Sequence, residues 1–96
     1  MFARIECIMW ARRVGYDYLS WIGRKADEFG LVGVTFFCKD GSIKVVAEGA
    51  EEALNKFVNR LNRRHIFTRM ENFSATWHKP KGEYQDFSVL EKEYNK

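Results

Sequence analysis

The dipeptide Asp40-Gly41 lies between two β-rich runs, 31–38 and 42–47. No dipeptide supplies the positive φ angles of a tight hairpin more readily, so the two runs are predicted to pair antiparallel. A helical pattern stops at Gly30 just upstream, and a second begins just after Gly49. Each helical pattern has a further strand-like run on its outer side. The order is therefore βαββαβ, which constrains a short chain to few arrangements.

From the N-terminus, Ile5, Cys7 and Met9 alternate with Arg4, Glu6 and Ile8, the period-2 pattern of a strand with one covered face. The alternation breaks over 10–16, and Asp17 is the expected N-cap of the first helix, near 17–29. Its stripe is Leu19, Ile22, Ala26 and Phe29; Tyr18, Trp21 and Lys25 lie off that stripe. In the second helix, near 50–63, Ala50, Leu54, Phe57, Val58 and Leu61 recur at helical spacing. Glu51 and Glu52 open it and arginines close it, as the macrodipole favours. A fourth strand falls within 70–78, where Phe73, Ala75 and Trp77 alternate with Asn72, Ser74 and Thr76, and Pro80 ends it. A short last strand at 86–89 precedes a polar tail, 91–96. The reading is one α+β domain over 1–96, with its core at about 3–90: a ferredoxin-like split βαβ with an antiparallel sheet and both helices on one face. Leu19, Ile22, Phe29, Leu54, Phe57 and Leu61 are expected to be buried between them.

With 46% hydrophobic residues, the 96-residue chain can build a core without disulfide or metal staples. No apolar run approaches the roughly 20 residues of a membrane span, and the charged opening lacks the apolar segment of a signal peptide, so a cytoplasmic location is the expectation. A net charge of +3 permits an anionic partner without requiring one. Cys7 and Cys38 lie in strands at a spacing that fits no zinc or redox motif and read as inert thiols. His65 and His78 have no ligand partner at metal-binding spacing. Nucleic-acid binding is disfavoured: related sheets stack bases on strand aromatics, but no such aromatic motif occurs here.

Four short stretches follow one another along the chain: Val14-Gly15-Tyr16, Gly30-Leu31-Val32-Gly33-Val34, Asp40-Gly41 and Glu83 to Val89. In that order and spacing, across nearly its whole length, the chain resembles the acylphosphatases. Val14-Gly15-Tyr16 echoes V-G-F in the family's phosphate-cradling loop, G-x-V-Q-G-V-G-F-R. The stretch from Gly30 to Val34 echoes G-L-x-G-W, Asp40-Gly41 the turn that follows, and the stretch from Glu83 to Val89 the terminus. The resemblance implies the ferredoxin-like fold and hydrolysis of the carboxyl-phosphate bond of acyl phosphates, and it calls for no cofactor. In that family the loop amides and the arginine after the phenylalanine hold the phosphate. The asparagine of the second motif positions the attacking water.

Matching the loop from its N-terminal side puts Asp17 at the arginine position, whereas counting back from Gly30 puts Leu19 there. The second motif aligns without a gap and puts Phe37 at the asparagine position. Met9 and Arg13 replace two loop glycines, and Arg12 replaces the glutamine. The expected protein is thus a member without the family's two functional side chains. Its candidate site for a small anion (phosphate, sulfate or carboxylate) is Ala11, Arg12, Arg13, Val14, Gly15 and Tyr16. The alternative is an active acylphosphatase in which Arg12 or Arg13 binds the phosphate, a role the guanidinium shape suits. Trp21, with Tyr18, is the candidate surface for a homodimer.

Overall fold

The computed structural model describes residues 1–11, 14–63 and 70–90, with Ala11, Met70 and Glu71 described by their backbone alone. Among the described residues seven elements follow one another: β1 (Phe2–Ala11), α1 (Tyr16–Glu28), β2 (Val32–Phe37), β3 (Ile43–Ala50), α2 (Glu51–Asn62), β4 (Met70–His78) and β5 (Phe87–Val89). They form a five-stranded sheet in the order β4-β1-β3-β2-β5. The two strand–helix–strand halves interleave through the central β1–β3 pair, which runs in register from Phe2↔Ala50 to Met9↔Ile43.

The predicted hairpin joins β2 to β3. Asp40 Oδ1 accepts bonds from the Ser42 amide at 2.9 Å and its hydroxyl at 2.7 Å, and the Gly41 amide reaches back to the Cys38 carbonyl at 3.0 Å. Both helices lie on one face of the sheet. Ile5, Cys7, Met9, Ile43, Val45 and Ala47 there meet Leu19, Ile22, Ala26, Leu54, Phe57 and Leu61 in one buried cluster. Burial in that cluster pushes the Cys7 thiol up to about 12, so it stays protonated and inert.

Four expectations need correcting. The sheet is mixed rather than antiparallel, because β5 returns from beneath the sheet and pairs with β2 in parallel. Helix α1 starts at Tyr16, with Gly15 as its N-cap, so Asp17 lies inside the first turn, where a carboxylate favours the positive helix end without capping it. Phe29 is only half-buried, since it is the C-cap and its ring sits at the rim against Phe57, with centroids 6.5 Å apart. Tyr18, read as lying off the buried stripe, belongs to the core cluster, and Trp21 stacks on it at 5.7 Å.

The face away from the helices is also partly covered. Val34, Phe36 and Val46 form a smaller apolar cluster under Tyr84 and Leu90, and beside it lies an almost fully buried arginine, Arg4. Its Nη1 donates to Glu48 Oε2 at 2.9 Å and Glu83 Oε1 at 3.2 Å, and its Nε to Glu6 Oε2 at 3.0 Å. Glu48 in turn accepts the backbone amides of Lys81 and Gly82 at 2.8 and 3.1 Å. This group of charges fastens the 79–86 segment beneath the sheet and so fixes where β5 re-enters.

Candidate active site

The end of β1, the start of β3 and the end of β2 meet at one end of the sheet, because Met9 pairs with Ile43 and Ile43 with Phe37. Strand β1 ends at Ala11, just after a register irregularity between Trp10 and Ala11, and α1 begins at Tyr16. Arg12 and Arg13 lie outside the described residues, as do His65 and the 91–96 tail.

Of the expected site residues, the fold brings Val14, Gly15, Tyr16, Asp17 and Phe37 to this end. Val14 packs on the core. Gly15 has φ −127° and ψ −160°, an extended conformation open to any residue, so it provides no left-handed bend of the kind a glycine-rich cradle uses. The exposed Asp17 turns back toward it: a Cβ placed on Gly15 would lie 3.4 Å from Asp17 Oδ1. A carboxylate thus sits at the positive end of α1, where it offsets the field that would draw in an anion.

At the end of β2, Phe37 faces the helix side and packs against the core. Its ring meets that of Tyr16 edge to face, with centroids 5.5 Å apart and planes at 84°. The α1 entry and the β2 exit are therefore bridged by two aromatic rings. Leu19, the other occupant considered for the arginine position, is fully buried. Between the two registers, only Asp17 reaches the surface of this site. Among the described residues no cluster of His, Cys, Asp or Glu could hold a metal ion, and no helix is long and apolar enough to cross a membrane.

The acylphosphatase family profile matches residues 13–89. The chain belongs to the acylphosphatase family. It is 35% identical over 78 residues to an acylphosphatase from Paenarthrobacter aurescens, covering 81% of each chain. With the acylphosphatase of Caldanaerobacter subterraneus it shares 33% over 66 residues, 69% of this chain and 73% of that one. The crystal structure of the acylphosphatase from Bacillus subtilis superposes with a TM-score of 0.83 at 26% identity, covering 94% of this chain and 99% of that one. The end of the sheet described above holds Val14, Gly15 and Tyr16 of the loop, and Phe37 of the second motif, that the sequence resemblance singled out. The sequence reading did not anticipate the contact between Tyr16 and Phe37. Its signal was an aromatic at the start of α1 and another at the end of β2, but only the β1–β3–β2 register brings the two within reach.

Proposed function

We propose that this member keeps the acylphosphatase scaffold, has lost the hydrolysis of acyl phosphates, and retains at most the binding of a small anion at the 11–16 loop. The observation that carries this reading is Phe37, half-buried and packed edge-on against Tyr16, at the position where the family resemblance calls for asparagine. A phenyl ring offers no polar atom to orient water. Acyl phosphate hydrolysis also draws its acceleration from positive charge held on the phosphoryl oxygens, and Asp17 at the head of α1 supplies the opposite sign.

The expected result is that the purified protein hydrolyses acetyl phosphate and benzoyl phosphate no faster than buffer alone. Removing one preorganised contact costs roughly 3–4 kcal/mol of transition-state stabilisation, and each 1.36 kcal/mol is a factor of ten, so losing both removes on the order of 10⁴-fold or more. Turnover well above buffer that disappears in Arg12→Ala or Arg13→Ala would overturn the proposal and establish the alternative enzyme.

The reciprocal variant, Asp17→Arg with Phe37→Asn, should gain only weak activity. It restores the two side chains but not the glycines, whose places Met9 and Arg13 hold. Full activity in that variant would mean that the loop still forms a working cradle.

A further inference from the structure

Strands β1 and β4 separate at the end of the sheet opposite the 11–16 loop. β1 stays paired with β3 as far as Phe2↔Ala50, whereas its pairing with β4 stops at Arg4↔His78. The next pair in that register would join Phe2 to Pro80, and proline has no N–H to give the ladder. A cleft of about 600 Å³ opens there, with Phe2 and Ala3 on one wall and the run from Trp77 to Pro80 on the other. Its size is that of a small-molecule site. The Met1 carbonyl accepts the Glu51 amide at 2.9 Å, so residues 1 and 51 form a hydrogen-bonded pair. Such pairs alternate along an antiparallel ladder, which turns the N–H and C=O of Phe2 away from β3 and toward the cleft. Among the described residues no backbone group of β4 or the segment after it bonds to them. Side chains alternate as well. Phe2 shares the face of Arg4, while Trp77 pairs with Ile5 on the helix face, so one ring lies on each side of the sheet plane. Both rings reach solvent, Phe2 at 67% and Trp77 at 45% exposure.

We propose that this cleft binds a small, uncharged planar heterocycle whose edge carries an N–H beside a carbonyl, the lactam edge of a pyrimidine base. Such a ring continues the β1 ladder where Pro80 interrupts it. Its N–H donates to the Phe2 carbonyl and its carbonyl accepts the Phe2 amide, both bonds lying in the plane of the sheet. A ring held in that plane has Phe2 over one face and Trp77 over the other. Stacking on both faces is what an aromatic heterocycle gains and a simple amide does not. The formal charges on the cleft are one of each sign, Lys79 and Glu51, so they favour neither an anion nor a cation. They also give no track of positive charge for a phosphate backbone, which points to a free small molecule rather than a nucleic-acid strand.

Uridine is the probe, titrated into the full-length protein and followed by the backbone amide resonances. The Phe2 amide should shift with a dissociation constant of about 1 mM or tighter. 3-Methyluridine, whose ring N–H is replaced by a methyl group, should bind on the order of tenfold more weakly, because the Phe2 carbonyl then lacks its donor. That comparison uses the wild type alone. Trp77→Ala should weaken uridine by about fivefold or more, the loss expected for one stacked face, and a well-dispersed amide spectrum would establish that the variant is folded. A Phe2 amide unmoved at about 10 mM uridine, ten times the expected constant, would overturn the proposal. Equal binding of 3-methyluridine would do the same, since the peptide edge would then play no part. A uridine tetranucleotide bound more than about tenfold tighter than uridine would also overturn it, because the cleft would then be reading a strand.

Discussion

Gly33→Ala is expected to yield a largely unfolded protein, with a loss of about 4 kcal/mol or more, the range reserved for severe core and backbone conflicts. Gly33 lies in β2 with φ +150°, between β3 on one side and β5 on the other. A Cβ there would fall 1.8 Å from the Val46 carbonyl oxygen, 2.8 Å from its carbon and 2.9 Å from Ala47 Cα. All three are backbone atoms of the adjacent strand, so no side-chain rotation relieves the overlap; β3 itself must move. The Gly33 amide also donates to the Asp86 carbonyl at 2.9 Å, so displacement of β2 would loosen β5 as well. Gly30→Ala is the control from the same motif. Its φ is +70°, but nothing lies within 4 Å of the added Cβ, so the cost is only that of a left-handed L-residue, roughly 1–2 kcal/mol. Chemical denaturation of the two variants checks the prediction: a Gly33→Ala protein with a transition close to that of Gly30→Ala would contradict it.

The second large effect is expected at Arg4. Arg4→Leu should cost about 3–5 kcal/mol, because it leaves the buried Glu48 carboxylate without its counter-charge. Burial works against the charge on Arg4, but its bonds to Glu48, Glu6 and Glu83 outweigh that and raise its pKa further. For Glu48, burial opposes ionisation, while the Lys81 amide, the Arg4 bond and the Gly82 amide together bring its pKa below the usual carboxylate range. Glu6 is likewise held low against burial, by Arg4 and then by the positive charges of Lys44 and His78. A carboxylate whose folded pKa is depressed contributes stability above its unfolded value, here close to 4.5, and loses it as pH falls through the folded value. The wild type should therefore lose stability in acid below about pH 4.5, and Arg4→Leu should show a shallower acid dependence, because without Arg4 the folded pKa values of Glu48 and Glu6 are held less far below the unfolded one and fewer protons are taken up on unfolding. Arg4→Leu combined with Glu48→Leu should recover part of the loss. It cannot recover all of it, because the Lys81 and Gly82 amides would then lack their acceptor, at about 1–3 kcal/mol. A double variant no more stable than Arg4→Leu alone would show that the pair is not the source of the effect.

The elements were legible in the sequence because each is written in a local pattern. Alternation in 4–9 marked β1, Leu54, Phe57 and Leu61 marked the buried side of α2, and Asp40-Gly41 marked the hairpin. The family was legible for a related reason, since its motifs sit at the junctions between those elements. The site was less so. Local sequence left Asp17 and Leu19 as equal occupants of one position, and only the packing of α1 separates them, with Leu19 in the core and Asp17 in solvent.

The sequence by itself determined the order of strands and helices and the apolar face of β1, α1 and α2, because burial preference repeats with the period of each element. The tertiary structure alone decided that β5 runs parallel to β2, that Gly33 admits no side chain and that Arg4 is buried rather than solvated. Each of these depends on atoms far away along the chain: Arg4 bonds to residues 44 and 79 positions distant. Periodicity can say that a charge lies on the second face of a strand. Whether that face meets water or three carboxylates depends on where the chain returns, and no local pattern contains that.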